Sequence, residues 1–316
     1  MVKENSSKDD GMKVLIHVFT LLALASCGGI TTIEKSGDKS GSEKTKRIVE
    51  EIQFPEPVDV TIKPGEVSLI KISGPFSADG TLKCGNRNVT FFVSGDELFS
   101  FLSETYFSKL KGYQCFYQNK GKIAIVANIK VEGKSFPSER LKVDKKRVFL
   151  NKKNAARADR ERKIKYKAYN NSPKYPLFYS PFDLPINSAV TSIYGSKRVF
   201  NKKKQTQHLG TDYRAAVGEP IKTSNRGKVV ISRDFFYTGN TVVIDHGMGI
   251  FTTYGHLSER KVSEGEIIPS STVIGLAGAT GRVTGPHLHW GVTVNGLAVE
   301  GSSLVAASQD IPKGMK

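Results

Sequence analysis

Apolar and polar positions alternate with a period of two along much of the chain, and this predicts a mainly β protein. Val58, Val60 and Ile62 alternate before a Pro64-Gly65 turn, and Ile123, Ile125, Ala127, Ile129 and Val131 alternate before Gly133. A half-buried strand gives this pattern because successive side chains leave opposite faces. Asn88–Val93 reads as a further strand, whereas residues 96–111 fit a helix or a strand pair equally well. Residues 55–143 are therefore expected to form a β-sandwich-like domain. A second strand-rich stretch runs over residues 176–305, with candidate strands Ile221–Ile231, Thr241–Asp245, Phe251–Tyr254, Val273–Leu276 and Leu288–Val294. Turn signals at Gly195, Gly218, Asn225-Arg226-Gly227, Gly239-Asn240, Gly247 and Gly265 mark the breaks, which predicts a compact, mostly antiparallel β domain. Residues 306–316 read as a tail.

The two β regions are joined by a different kind of sequence. Residues 140–167 hold 13 Lys/Arg and 3 Asp/Glu, a balance of +10 out of the chain's +17. Ala155, Ala156 and Ala158 among long polar side chains favour a helix. Few apolar positions recur, so the connector, residues 144–175, is expected to be a solvated linker helix. Its charge also suits an arm drawn to anionic lipid or wall polymer. Basic charge is a footprint of nucleic-acid binding too, but no groove-reading motif accompanies it, so no nucleic-acid partner is expected. A second basic cluster, Lys197, Arg198, Lys202, Lys203 and Lys204, stands just before His208, where it could flank a groove or form an exposed loop.

The front of the chain carries an address. An apolar run from Val14 to Leu24 follows Lys13 and ends in Leu24-Ala25-Ser26-Cys27. The run is too short for a finished membrane span and fits a signal peptide over residues 1–26. Leu-Ala-Ser-Cys resembles the bacterial lipobox, which implies lipidation at Cys27 and a membrane anchor; in a Gram-negative host, Gly28 favours the outer membrane, facing the periplasm. Residues 27–54 are rich in Ser, Gly, Lys and Glu and are expected to be a flexible tether. The two other cysteines, Cys84 and Cys115, lack C-x-x-C spacing. An exported compartment permits a disulfide between them, worth about 3–4 kcal/mol for a loop of about 32 residues.

Chemistry concentrates near the C-terminus. Four of the six histidines, with one aspartate, stand in HLGTD (His208, Asp212), YGHL (His256) and GPHLH (His287, His289). On a strand, His287 and His289 share a face while Leu288 turns to a core. Catalytic zinc takes three protein ligands and keeps one position open, so five candidates exceed one site's need. The surplus suits histidines that move protons beside a metal. His246 reads as structural or exposed, and Trp290 as core or as a substrate platform. Gly278, Gly281 and Gly285 allow a loop that could wall a groove; no Gly-Lys-Ser/Thr follows, which excludes a phosphate loop.

These motifs, with Tyr194-Gly195, Gly227-Lys228-Val229-Val230, Gly239-Asn240-Thr241-Val242, Ile244-Asp245-His246-Gly247 and GATGRVTGPHLHWGV, make residues 184–299 resemble the lysostaphin-type zinc metallopeptidases, which cut peptide bonds in peptidoglycan. The resemblance implies one Zn2+ held by His208, Asp212 and His289, with His256 and His287 as catalytic non-ligands. It implies a peptidoglycan endopeptidase in the cell envelope. Two alternatives stay open: a non-catalytic wall-binding or amidase-regulating lipoprotein, and a structural spacer. An intact set of five argues against the first, and the lack of a cysteine-closed site against the second. Glu300-Gly301-Ser302-Ser303 departs from the proline-containing ending of that family.

Overall fold

The computed structural model describes residues 54–141, 150–202 and 204–312. The expected signal segment, Cys27, the tether and residues 142–149 of the basic stretch lie outside the described residues. Among the described residues, no helix is long and apolar enough to cross a membrane.

The front region contains β1 (Val58–Ile62), β2 (Val67–Ser73), β3 (Thr81–Cys84), β4 (Arg87–Val89), β5 (Phe92–Ser94), β6 (Glu97–Ser103), β7 (Tyr113–Asn119), β8 (Lys122–Val131) and β9 (Ser138–Leu141). One sheet runs β1-β8-β7-β3-β4 and another β2-β6-β5. Ile62, Ile70, Leu82, Leu98, Tyr117 and Ile129 fill the space between them. Cys84 and Cys115 are register partners across β3 and β7, joined as a disulfide with Cα atoms 4.0 Å apart.

Two local expectations are corrected here. Asn88–Val93 is not one strand: Thr90 hydrogen-bonds Met248 O and Asn295 Oδ1, and that link divides the run into β4 and β5, which join different sheets. Residues 97–103 are a strand buried on both faces. Leu98 and Leu102 face the front core while Phe101 enters the core of the second region. A strand covered on both sides loses its period-two signal, which explains the ambiguity of that stretch.

Helix α1 (Lys152–Tyr169) starts at Asn151, whose side chain accepts a hydrogen bond from Asn154 N at 2.9 Å. It buries no residue fully, as its composition dictates. Yet it is more than a solvated linker: Ile164, Ala168 and Tyr169 pack on Ile231, Phe235, Val243 and Phe251. Arg157 pairs with Asp234 at 2.8 Å, and Glu161 accepts from Phe236 N at 2.8 Å.

The second region holds β10 (Val190–Ser192), β11 (Lys197–Phe200), β12 (Lys204–Gln207), β13 (Thr211–Tyr213), β14 (Pro220–Lys222), β15 (Gly227–Phe235), β16 (Gly239–Asp245), β17 (Ile250–Leu257), β18 (Glu259–Arg260), β19 (Ile267–Ile268), β20 (Val273–Leu276), β21 (Leu288–Val294), β22 (Leu297–Val299) and helix α2 (Gly301–Ala307). Its main sheet runs β10-β13-β21-β17-β16-β15-β19, with β22 on β21, all antiparallel. The expected strand Ile221–Ile231 is divided at the turn signal Asn225-Arg226-Gly227, where Asn225, buried, donates to Ser180 O and Pro181 O. The expected tail is also corrected: α2 occupies the place after β22, and Leu304 and Ile311 are buried in the main core.

The regions interlock. Val67 and Phe101 from the front belong to the core built around Tyr254, Leu288 and Trp290. Strand β9 joins β11 in parallel at the edge of a small β12-β11-β9 sheet.

Candidate metal centre

Three neighbouring strands set the site. Asp212 on β13 and His289 on β21 are direct register partners, and Gly255 on β17 lies on the other side of His289. His208 precedes β13. Its Nε2 lies 3.0 Å from Asp212 Oδ1 and 3.1 Å from His289 Nδ1, and His289 Nδ1 lies 2.8 Å from Asp212 Oδ1. Three donor atoms thus face one point. Tetrahedral bonds of about 2.0–2.1 Å put ligand atoms about 3.3 Å apart, so the triangle fits a zinc-sized ion with little movement. Gly210 makes the approach possible: a Cβ there would stand 2.5 Å from His289 Cε1.

Surrounding groups fix the orientation of the donors. His208 Nδ1 lies 3.1 Å from Ile193 O; a carbonyl can only accept, so Nδ1 carries the proton and Nε2 presents its lone pair. Ser192 Oγ is 3.1 Å from the same nitrogen. Arg198 donates to Asp212 Oδ2, leaving Oδ1 for the triangle. Arg198 also meets Ser192 Oγ at 2.9 Å and Glu139 Oε2 at 3.4 Å, and Ser192 Oγ donates to Glu139 Oε1 at 2.8 Å. Burial alone would raise the Asp212 carboxyl, but hydrogen bonds and charge from His208 and His289 outweigh it and hold the group below the usual carboxylate range. Burial lowers His289 in turn, against the opposing pull of Asp212.

The two remaining histidines stand beside the triangle. His287 Nε2 lies 3.8 Å from Asp212 Oδ1, and its Nδ1 donates to Gly285 O at 2.9 Å. His256 Nδ1 donates to Thr280 O at 2.8 Å. Both rings therefore keep Nε2 as their acceptor, with centroids 4.8 Å apart. Burial, then the charges of His289 and His287, push His256 down to about 3. His256 reaches the site through a bulge: Asn240 pairs with Leu257 but Val242 with Tyr254, and His256 adopts φ 64°. An extra residue in a strand re-aims its side chain, and a left-handed non-glycine residue marks a position held by its surroundings. The glycine-rich loop packs here too: Gly281 has φ 78°, and a Cβ on it would meet Gly239 N at 2.4 Å.

An open cavity of about 580 Å³ lies over this cluster, walled in part by Arg198, Tyr237, Arg282 and Pro286. His246 sits elsewhere, fully buried, bonded to Arg226 O at 2.8 Å and Thr252 Oγ1 at 2.7 Å. Trp290 is fully buried against Tyr213 and takes no part in the cavity. Sequence reasoning missed Glu139, Ser192 and Thr280. Arg198 was visible only as one member of a basic cluster; it turns inward onto Asp212. Glu139 has no local signal, because it arrives through the β9–β11 pairing.

The family model for Peptidase family M23 matches residues 206–300. The peptidoglycan DD-endopeptidase ShyA of Vibrio cholerae is 42% identical over 112 residues, which cover 35% of this chain and 26% of that protein. The DD-carboxypeptidase/endopeptidase Mpg of Neisseria meningitidis is 33% identical over 141 residues, 45% of this chain and 31% of that one. The aligned segments thus span about a quarter to a third of these curated relatives. A crystal structure of a Pseudomonas aeruginosa protein assigned to peptidase M23 aligns at 26% identity and TM-score 0.62, covering 80% of this chain and 97% of that one, so the likeness includes the front region. With its His-Asp-His triangle carried on β13, on β21 and on the turn that leads into β13, the segment from residue 206 to residue 300 is a domain of peptidase family M23.

Proposed function

We propose that the protein is a zinc-dependent endopeptidase that hydrolyses peptide bonds in peptidoglycan stem peptides or cross-links. The observation that carries this reading is the convergence of His208 Nε2, Asp212 Oδ1 and His289 Nδ1 beside two further imidazoles. Relatives named as peptidoglycan DD-endopeptidases support the substrate class.

Held by His208, Asp212 and His289, zinc would supply Lewis acidity toward the scissile carbonyl and lower the pKa of water. The protein's own groups supply the rest. The Ile193 carbonyl fixes the tautomer of His208, and Arg198 keeps one carboxylate oxygen of Asp212 aimed at the triangle. His256 and His287, each donating Nδ1–H to a backbone carbonyl, offer Nε2 to take a proton from the attacking water. The ring that has taken it then holds an Nε2–H for the oxyanion or the departing amine. No covalent intermediate with a side chain is needed.

Location completes the proposal. Lipidation at Cys27 would anchor the chain in the envelope, facing the periplasm from the outer membrane in a Gram-negative host. The basic connector would add attraction to anionic lipid or wall polymer. Labelled fatty acid should enter the wild type and not Cys27→Ala.

The test of activity is mass spectrometry of muropeptides after purified sacculi are digested with the zinc-loaded mature chain. New ends between D-Ala and a diamino acid are expected. Unchanged muropeptides with zinc bound would overturn the reading and favour a non-catalytic wall-binding role.

A further inference from the structure

Arg282 is a cation in the cavity wall that the hydrolytic chemistry does not use. Its backbone N donates to Tyr237 O at 2.9 Å, which pins it to the loop before β16. Its guanidinium lies over two rings, 4.4 Å from the Tyr237 centroid and 5.0 Å from that of Phe200. Ring faces offset part of the dehydration of a cation, but they supply no negative charge. The cavity does hold two carboxylates, Glu139 and Asp212, yet both are engaged by Arg198. Arg282 has no carboxylate partner among the described residues, and Arg214, exposed, adds a further positive charge to the lining of the cavity. Burial and the nearby Arg198 lower the Arg282 pKa, as a guanidinium without a counter-ion requires.

This is the arrangement of a carboxylate subsite. A guanidinium presents a planar fork that matches a carboxylate with two parallel hydrogen bonds. Tyr237 and Phe200 fix the plane of that fork before any ligand arrives, which reduces the entropy lost on binding. The position is on the rim of the cavity that holds His256 and His287.

We propose that Arg282 binds a free carboxylate of the substrate peptide close to the scissile bond, so that the site selects acidic peptides over their amidated counterparts. The proposal rests on the peptidase reading for its substrate. Stem peptides with a diamino acid can carry such a carboxylate beside the cross-linking amide, and amidation removes its charge.

Two synthetic cross-linked peptides test it, identical except for carboxylate or carboxamide at that position. Their Kd values are measured by calorimetry on the zinc-loaded mature chain carrying His287→Ala, with and without Arg282→Gln or Arg282→Lys. With Arg282 in place, the carboxylate peptide should bind about 10- to 100-fold tighter than the carboxamide. Arg282→Gln should bring that ratio near one, and Arg282→Lys should keep part of it through charge alone. Zinc content serves as the control for folding. A ratio near one with Arg282 present, or a ratio unchanged by Arg282→Gln, overturns the subsite; Arg282 would then only clamp the loop against Tyr237 and Phe200. If the expected ratios appear but the wild-type chain cleaves neither peptide, the carboxylate subsite stands and the peptidase reading fails.

Discussion

The front sandwich and the eight-stranded sheet are both β structures around apolar cores, but they treat their buried polar groups in opposite ways. In the front region, buried Glu104 is answered by Arg87 at 2.9 Å and by Tyr113 at 2.6 Å, so its charge is met by a cation and a hydroxyl. On β13, β21 and the turn before β13, Asp212, His289 and His208 have one another as partners, with their donor atoms crowded toward one point. A buried polar cluster that closes on itself with complementary charge stabilises a fold. One whose members are all metal donors is arranged for something else. The front region shows what these strands look like when stability alone shapes them, and the triangle departs from that pattern.

The sharpest way to test this contrast is to remove one vertex. His208→Ala should lower zinc affinity by on the order of 10³-fold and abolish peptide hydrolysis, measured by metal analysis after dialysis and by sacculus digestion. The front core should be untouched, so a cooperative urea transition followed by circular dichroism is expected to persist in the variant. Retained zinc would place the metal elsewhere. His287→Ala separates chemistry from metal: zinc should stay bound while hydrolysis falls about 10²- to 10⁴-fold. If that variant digests sacculi at the wild-type rate, His287 has no proton to move.

The opposite cut falls on the front region. Replacing Cys84 and Cys115 together by Ala removes the β3–β7 disulfide and should cost about 3–4 kcal/mol in urea unfolding. Zinc stoichiometry of the folded protein should not change. A parallel loss of zinc would show that the two regions are less separable than their polar groups suggest.

The sequence told some of this and hid the rest for physical reasons. Alternation announced β1, whose Asp59 and Thr61 face water, and marked β8 as a strand, although there Ile123 and Ile125 are exposed and only the second half, from Val126, enters the core. β6 was ambiguous because both its faces are covered, by Leu98 and Leu102 on one side and Phe101 on the other. His208, Asp212, His256, His287 and His289 were legible because their contexts are local motifs. Glu139 and Ser192 were not, since strand pairing brings them to the site, Glu139 beside Arg198 across a long sequence gap and Ser192 beside Asp212. The bulge that aims His256 was equally silent, as nothing in YGHL distinguishes a left-handed histidine from an extended one.

His246 offers a smaller test within the second region, as a buried histidine outside the triangle. Burial pushes it down to about 4, so the folded protein keeps it neutral while the unfolded chain protonates it near 6.5. The unfolded state then binds more protons between those values. Stability from this group is fully present above about pH 6.5 and is lost as pH falls toward 4, on the order of 3 kcal/mol in all. Urea midpoints across that window should decline with acid, and His246→Gln should flatten the decline. An unchanged slope in the variant would assign the acid sensitivity to other groups.

The smallest expected effect addresses the one place where the two regions share a function. Glu139 stands on β9, in the front region, yet it is the register partner of Arg198 and touches both Arg198 and Ser192. Through them it reaches Asp212 Oδ2 and His208 Nδ1. Its carboxylate balances Arg198, which would otherwise give its whole charge to Asp212 and weaken that oxygen pair as a metal donor. Groups at this remove from a metal alter affinity by about 10- to 100-fold. Glu139→Gln keeps the shape and loses the charge, so zinc affinity should fall within that range while thermal stability of the metal-free chain barely moves. Glu139→Asp should recover part of the affinity. If Glu139→Gln binds zinc as the wild type does, β9 merely covers a sheet edge, and the triangle is complete without the front region.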